Sequence, residues 1–266
     1  MATVRVNGID LYYEERGKGD PVILIPGLGG VGASWGPQIS LLAEAFRTIT
    51  VDHPGTGKSS VPNTGYTIAQ HAGDIAGLLR ALKATPAHII GASTGGAIGQ
   101  VMALDYTDTV RSLVLVGTWG RADTRFRRLF EFRKRVLLEL GPEAAMHLAL
   151  LLLYSPAYYR AHSEVWQTFV QSLKVAAPDS SIAAKRIDMI IAHDTLGRLK
   201  DIKQPTAIVV GELDVVTAPY LSEELRQHIR HSELHLIPGA GHTVYVEKPD
   251  VFFQIVRGFL GKLSAV

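Results

Sequence analysis

The chain has 266 residues, 47% hydrophobic and 20% charged, a balance that supports a sizeable buried core and argues against disorder. Lys and Arg number 27 against 25 Asp and Glu, and the formal charge of +2 gives no global field to hold nucleic acid or an anionic membrane. With no cysteine there are neither disulfides nor thiolate metal sites, which suits a reducing compartment, and the cytoplasm is the expected location.

The first residues lack a basic run followed by an apolar one, so no secretory signal is expected. Residues 3–6 and 9–14 read as short strands joined by Asn7-Gly8, the dipeptide of a type I′ hairpin. Apolar runs at 22–25, 48–51 and 88–90 lack polar alternation, as strands buried on both faces of a parallel sheet should. Between them, Ile68, Ala72, Ile75, Leu78, Leu79 and Leu82 recur at helical spacing over 67–83. Further strands are expected at 113–116, 207–210 and 234–237, and helices at 221–229 and 251–260. The pattern is α/β, with a mostly parallel eight-stranded sheet flanked by helices.

Between Gly117 and about Arg198 the β pattern disappears and the chain turns helical, aromatic and charged. This predicts an inserted helical lid, residues 119–198, in a core domain of residues 1–118 and 199–266. The most apolar stretch, residues 148–154, falls well short of the roughly 20 residues needed to cross a bilayer. No membrane or nucleic-acid partner is expected, and a homodimer is left open. From Arg121 to Arg135 basic residues outnumber acids, which reads as solvated lid surface rather than a nucleic-acid footprint.

Gly91-Ala92-Ser93-Thr94-Gly95 fits G-x-S-x-G, follows an apolar strand and precedes a small-residue helix. A tight strand-to-helix turn of this kind exposes a serine hydroxyl in a strained backbone, and the flanking glycines avoid Cβ clashes. Such a nucleophile needs a base and an acid that orients the base, in the order Ser, Asp or Glu, then His. Asp214, just beyond the strand at 207–210, is the expected acid, with Glu212 as its rival. His242, in Gly239-Ala240-Gly241-His242 after the strand at 234–237, is the expected base. Oxyanion donors are expected from the Thr94 N–H and from Leu28 in Gly27-Leu28-Gly29-Gly30.

Gly55-Thr56-Gly57-Lys58-Ser59 mimics the end of a phosphate loop, but that motif requires glycine where Asp52 stands, so a turn is the better reading. Trp119, Met146, Leu150, Tyr154, Trp166, Phe169 and Met189 should mostly form the lid's own packing, with some facing Ser93. Gly27, Trp119, Tyr154, Trp166 and Val215 are the expected substrate contacts.

Nearly the whole chain resembles α/β-hydrolases of the enol-lactonase and aminoacrylate-hydrolase group, the latter from pyrimidine degradation. Beyond the elbow, the likeness rests on Gly27-Leu28-Gly29-Gly30, Asp52-His53-Pro54-Gly55-Thr56-Gly57, Ala103-Leu104-Asp105-Tyr106, Gly117-Thr118-Trp119 and the acid and histidine loops. It implies the α/β-hydrolase fold and small substrates. Some members of the aminoacrylate type lack the elbow serine, whereas this chain has Ser93, which favours a serine esterase or lactonase. Pro26 stands where most relatives have histidine, so the resemblance does not say what backs the oxyanion loop.

The expected activity is therefore cleavage of a carboxylic ester or lactone of a small substrate through Ser93, His242 and Asp214, with no metal or organic cofactor. Rivals on the same residues are C–C bond hydrolysis, amidase and aminoacrylate or carbamate hydrolase chemistry. From another class, the fold could serve as a non-catalytic ligand receptor.

Overall fold

The computed structural model of the chain describes residues 2–62, 66–166 and 180–264. All eight expected strands form: β1 (Ala2–Val6), β2 (Ile9–Arg16), β3 (Pro21–Ile25), β4 (Arg47–Val51), β5 (Ala87–Ala92), β6 (Val110–Val116), β7 (Thr206–Gly211) and β8 (Ser232–Ile237). They make one sheet in the order β1-β2-β4-β3-β5-β6-β7-β8. β2 pairs antiparallel with β1 and β4, and every later pairing is parallel. Asn7 and Gly8 both take positive φ, 48° and 86°, in the hairpin between β1 and β2.

The parallel strands are buried on both faces, which explains their unbroken apolar runs. Side chains alternate between two layers. Ile23, Ile25, Ile89, Leu113, Leu115 and Ile208 pack with the helices Ile68–Ala81 and Thr94–Asp105. Val22, Leu24, Ile90, Val114, Val116 and Val209 pack with Trp35, Leu42 and the Phe252 face of the helix Pro249–Ser264. Strand order reverses at β3, whose two parallel neighbours are β4 and β5. Ligand crevices form outside the carboxyl ends of strands at such a point, which places the Pro26–Gly30 and Ser93 loops side by side.

Between β6 and β7 no named strand occurs among the described residues. Helices run from Thr124–Arg135 through a π-helical turn, Val136–Leu140, into Gly141–Leu153, then Pro156–Ala161 and Ser180–Ala192. Gly141, at φ 86°, turns the chain between the two, and Pro142 stands in the first turn of the second. Thr124–Leu153 is thus a 30-residue helical stretch, long and apolar enough by length and composition to cross a membrane, which the seven-residue apolar count from sequence missed. Phe126, Phe130, Leu137, Ala149 and Leu150 are buried, whereas Phe132, Leu138, Leu140 and Leu151 remain exposed.

Candidate active site

Ser93 caps the helix Thr94–Asp105 with φ 53° and ψ −113°, a conformation that L residues rarely hold. Its neighbours enforce it. A Cβ on Gly91 would strike the Gly95 carbonyl, and one on Gly95 would strike the Ile25 carbonyl, so helix and strand can meet only where both are glycine. The Ser93 N–H donates to the Val116 carbonyl at 2.8 Å, and Thr118 Oγ1 donates to the Ser93 carbonyl at 2.8 Å. These bonds offset the local strain and fix the serine on the sheet.

Asp214 is 2% exposed and its carboxylate is fully engaged. Oδ1 accepts the N–H groups of Val216 (2.8 Å) and Thr217 (2.9 Å). Oδ2 accepts Thr217 Oγ1–H and lies 2.8 Å from His242 Nδ1. A carboxylate can only accept, so the imidazole carries its proton on Nδ1 and keeps a lone pair on Nε2, the tautomer a general base requires. Glu212 points elsewhere: it is exposed, and Oε2 accepts the Gly239 N–H at 2.9 Å, bracing the turn before the histidine. Gly117, at φ 49°, passes so close that an added Cβ would lie 3.2 Å from both Asp214 Oδ2 and His242 Nδ1.

Ser93 and His242 line one cavity of about 300 Å³, together with Gly27, Leu28, Met146, Leu150, Leu153, Tyr154 and Val216. The oxyanion candidates sit accordingly. Leu28 is on the cavity wall in a turn closed by Gly30 N–H to Gly27 carbonyl at 3.0 Å, and the Thr94 N–H belongs to the first helical turn, which has no intrahelical acceptor. The support beneath this loop is His53, whose ring Nε2 lies 2.8 Å from the Pro26 carbonyl. Complete burial holds the His53 imidazole down to a pKa of about 4, so the ring is neutral and donates from Nε2. His53 thus supplies the backing that Pro26 left unassigned.

Three expected substrate contacts fall outside this cavity. Trp119 is 0% exposed and packs on Phe126 at 4.6 Å between centroids, because the chain turns inward after β6 and uses the indole as core. Trp166 stacks on Tyr154 at 4.5 Å between centroids and is not among the residues that line the cavity. Val215 is 43% exposed, and its neighbour Val216 faces the cavity instead, a one-residue difference of register in the acid loop. Gly27 and Tyr154 do line the cavity, as do Met146 and Leu150. Met189 is buried elsewhere, and Phe169 lies outside the described residues.

Sequence reasoning missed Thr217, Arg133 and Glu247. Thr217 stands three residues past the acid and bridges toward the imidazole, with Oγ1 3.2 Å from His242 Nδ1. Arg133 lines the cavity from the helix Thr124–Arg135, where it was read as one of many surface cations; burial lowers its pKa to about 10. Glu247, 8% exposed, accepts the Gly241 N–H at 3.0 Å and the Ser155 N–H at 3.2 Å. It ties the histidine loop to the helical segment, as do the His242 and Thr243 N–H groups, both donating to the Leu153 carbonyl. No local motif marks such a long-range acceptor.

Comparison with known proteins identifies the family. The chain matches the family model for the alpha/beta hydrolase fold over residues 20–249. It is 36% identical to a protein of Azorhizobium caulinodans named as a carbamate hydrolase, RutD, over 96% of both chains. Among solved structures it is similar to the enol-lactonase from Burkholderia xenovorans LB400 (TM-score 0.89, 27% identity, 97% of this chain and 99% of that one). It is also similar to a thermophilic esterase from Thermogutta terrifontis with malate bound (TM-score 0.85, 29% identity, 98% of this chain and 97% of that one).

Proposed function

The chain belongs to the α/β-hydrolase family, and from that premise we propose that it cleaves the carboxylic ester or lactone bond of a small substrate through a Ser93–His242–Asp214 triad. The observation that carries this reading is the buried 2.8 Å bond from His242 Nδ1 to Asp214 Oδ2 behind a cavity wall that His242 shares with Ser93. Ser93 Oγ attacks the carbonyl carbon while His242 Nε2 takes its proton, and Asp214 stabilises the resulting imidazolium. The Leu28 and Thr94 N–H groups hold the oxyanion. His242 returns the proton to the leaving alkoxide, and a water then repeats the sequence on the acyl-enzyme. The described helices between β6 and β7 act as a lid that excludes water from this step.

Fluorophosphonate should leave an adduct on Ser93, and Ser93→Ala should lose the adduct and at least about 10³-fold of short-chain ester turnover with an unchanged fold. Ester turnover within tenfold of wild type in Ser93→Ala would overturn the reading. A carbamate or amide substrate is favoured instead by the relative named as a carbamate hydrolase. From an amide the same triad would protonate an amine leaving group, whereas a carbamate ester would lose its alcohol and leave a carbamoyl-enzyme; rates on an ester, a carbamate of the same alcohol and an amide of the same acid, measured side by side, separate these readings.

A further inference from the structure

We propose that His53 is a positioning residue for the oxyanion hole: from the end of β4 it holds the loop of residues 26–30 so that the Leu28 N–H points at the carbonyl oxygen of the substrate. The proposal rests on the hydrolase reading above, in which that N–H is one of two oxyanion donors. It gives the turn after β4 a share in transition-state stabilisation.

The Leu28 N–H belongs to the peptide unit whose carbonyl is that of Gly27. In a trans peptide the two point in opposite directions, so whatever fixes one fixes the other. The Gly27 carbonyl accepts the Gly30 N–H at 3.0 Å, which turns it into the loop and leaves the Leu28 N–H facing out of the turn. The turn rests on the nucleophile, since a Cβ on Gly27 would lie 3.5 Å from Ser93 Cβ. With glycine at 27, 29 and 30 it has little stiffness of its own. His53 grips it on both sides. Nε2 donates to the Pro26 carbonyl at 2.8 Å, in the peptide unit just before, and the His53 main-chain N–H donates to the Gly30 carbonyl at 3.4 Å, just after. Asp52 Oδ1 accepts the Gly32 N–H at 2.8 Å and closes the far end.

The ring is fixed in turn by its surroundings. His53 is buried, with the His71 ring 5.4 Å away between centroids, and the adjoining Pro54 carbonyl accepts Arg186 Nη2 at 2.8 Å from the helix Ser180–Ala192. Nδ1 has no hydrogen-bond partner among the described residues. A leucine would fill this space without burying an unsatisfied nitrogen, so what the imidazole adds is the donor. Burial outweighs the Pro26 carbonyl and Asp52, which favour a second proton, and Arg186 opposes one; the pKa of about 4 keeps the donor constant through the neutral range. Donors fixed before reaction stabilise the charge that develops in the transition state, whereas the neutral ground-state carbonyl gains little from them. Loss of the His53 bond should therefore act on kcat rather than on KM.

The test starts from His53→Leu, which fills the space and cannot donate. On a short-chain ester its kcat should fall about 10- to 100-fold, less than the loss of an oxyanion donor outright, with KM within about threefold. His53→Gln carries an amide N–H where the imidazole has Nε2–H, and it should recover most of the loss. An alkyl boronic acid, which forms a tetrahedral adduct on Ser93 with an oxygen in the hole, should lose affinity for His53→Leu in proportion to kcat/KM. A His53→Leu protein that is folded by circular dichroism and keeps kcat within threefold of wild type would overturn the proposal. So would equal boronic acid affinity in the two, or a folded His53→Gln protein no faster than His53→Leu. If His53→Leu does not fold, the wild type decides: the ring ¹⁵N resonances of His53 should show the proton on Nε2 and no titration between pH 6 and 9. A proton on Nδ1, or a titration in that range, would sink the proposal. A wild type that cleaves no ester and takes no fluorophosphonate adduct on Ser93 would defeat the hydrolase reading and this proposal with it. An active, labelled wild type beside an unimpaired His53→Leu defeats the proposal alone.

Discussion

On the sheet side of the Ser93 cavity each side chain proposed to react is set by bonds within a few residues of a strand end. On the helical side the wall is set by contacts between segments far apart in sequence. Ser93 is clamped by the Val116 carbonyl and Thr118, and Asp214 by the N–H groups of Val216 and Thr217. Tyr154 and Leu153 instead hold position through the Ser155 N–H to Glu247 and the Leu153 carbonyl to His242 and Thr243. Strand-end geometry follows from backbone sterics and can be inferred from glycine spacing, whereas a helix's rotation about its axis depends on everything it touches. Chemistry should therefore reside in the first wall and substrate reach in the second.

The largest effect expected lies in the sheet-borne wall. Asp214→Asn should lower kcat by about 10³ to 10⁴, since the amide can present its NH₂ to Nδ1 and select the wrong tautomer. Glu212→Gln should change kcat less than about threefold, because its only described bond braces Gly239. Steady-state kinetics on one ester decides, and a reversal of the two would move the acid to Glu212.

Next is the joint between the walls. Glu247→Ala strands the Gly241 and Ser155 N–H groups in a buried setting and should cost about 2–4 kcal/mol in urea unfolding, as loss of a charged acceptor does. If the two walls are coupled through this carboxylate, kcat falls as well, because His242 follows Gly241 directly. An unchanged kcat with reduced stability would show that the joint serves folding alone.

The sheet, and the strand-end placing of Ser93, Asp214 and His242, were legible because their signals are local. Eight apolar runs, the Asn7-Gly8 turn, G-x-S-x-G and two strand-end loops each declare their role within a few residues. The strand-free stretch between β6 and β7, among the described residues, was legible as a gap in the strand pattern. Its inner face was not: Trp119 looked like a pocket residue because it follows a strand end, yet the adjoining Phe126 and Phe130 rings take it into the core. Arg133 read as a solvated cation, and Arg186 gave no signal, because helical periodicity alone does not reveal a side chain turned toward a cavity or against another segment's loop.

Acid should expose a further contrast. His71 is buried with neither ring nitrogen partnered among the described residues, and desolvation, with repulsion from His53 once that ring is protonated and from Arg186, lowers its pKa to about 3. The unfolded imidazole titrates near 6.5, so below that pH the unfolded chain binds a proton that the folded chain refuses. Stability contributed by the neutral ring is full above about 6.5 and is lost as pH falls toward 3, by about 2 kcal/mol at pH 5. His71→Leu should unfold at lower pH than wild type and be no less stable at pH 7.5, where two unsatisfied nitrogens have been removed. Circular dichroism along a pH titration measures both, and identical acid midpoints would rule out His71 as a source of acid lability.

The smallest effects should come from two adjacent residues in the acid loop, where the contrast between the walls narrows to a single register step. Val215 is 43% exposed and its carbonyl accepts Arg125 Nη2 at 2.6 Å, so its side chain makes little of the structure. Val216 is 1% exposed, lines the cavity and donates its N–H to Asp214. Truncation to alanine leaves both backbone bonds in place and removes only methyl groups. Val215→Ala should therefore keep KM within about twofold and stability within about 0.5 kcal/mol. Val216→Ala should cost about 1–2 kcal/mol of stability and raise KM a few-fold, because a lost methyl contact in a hydrophobic pocket weakens binding by about 1 kcal/mol. kcat should hold in both, since Val216 holds Asp214 through its main-chain N–H, which the truncation leaves in place. A fall in kcat for Val216→Ala would mean that the side chain also helps to position the acid. The clean assignment of chemistry to backbone-fixed groups and reach to apolar walls would then fail at the residue where the two meet.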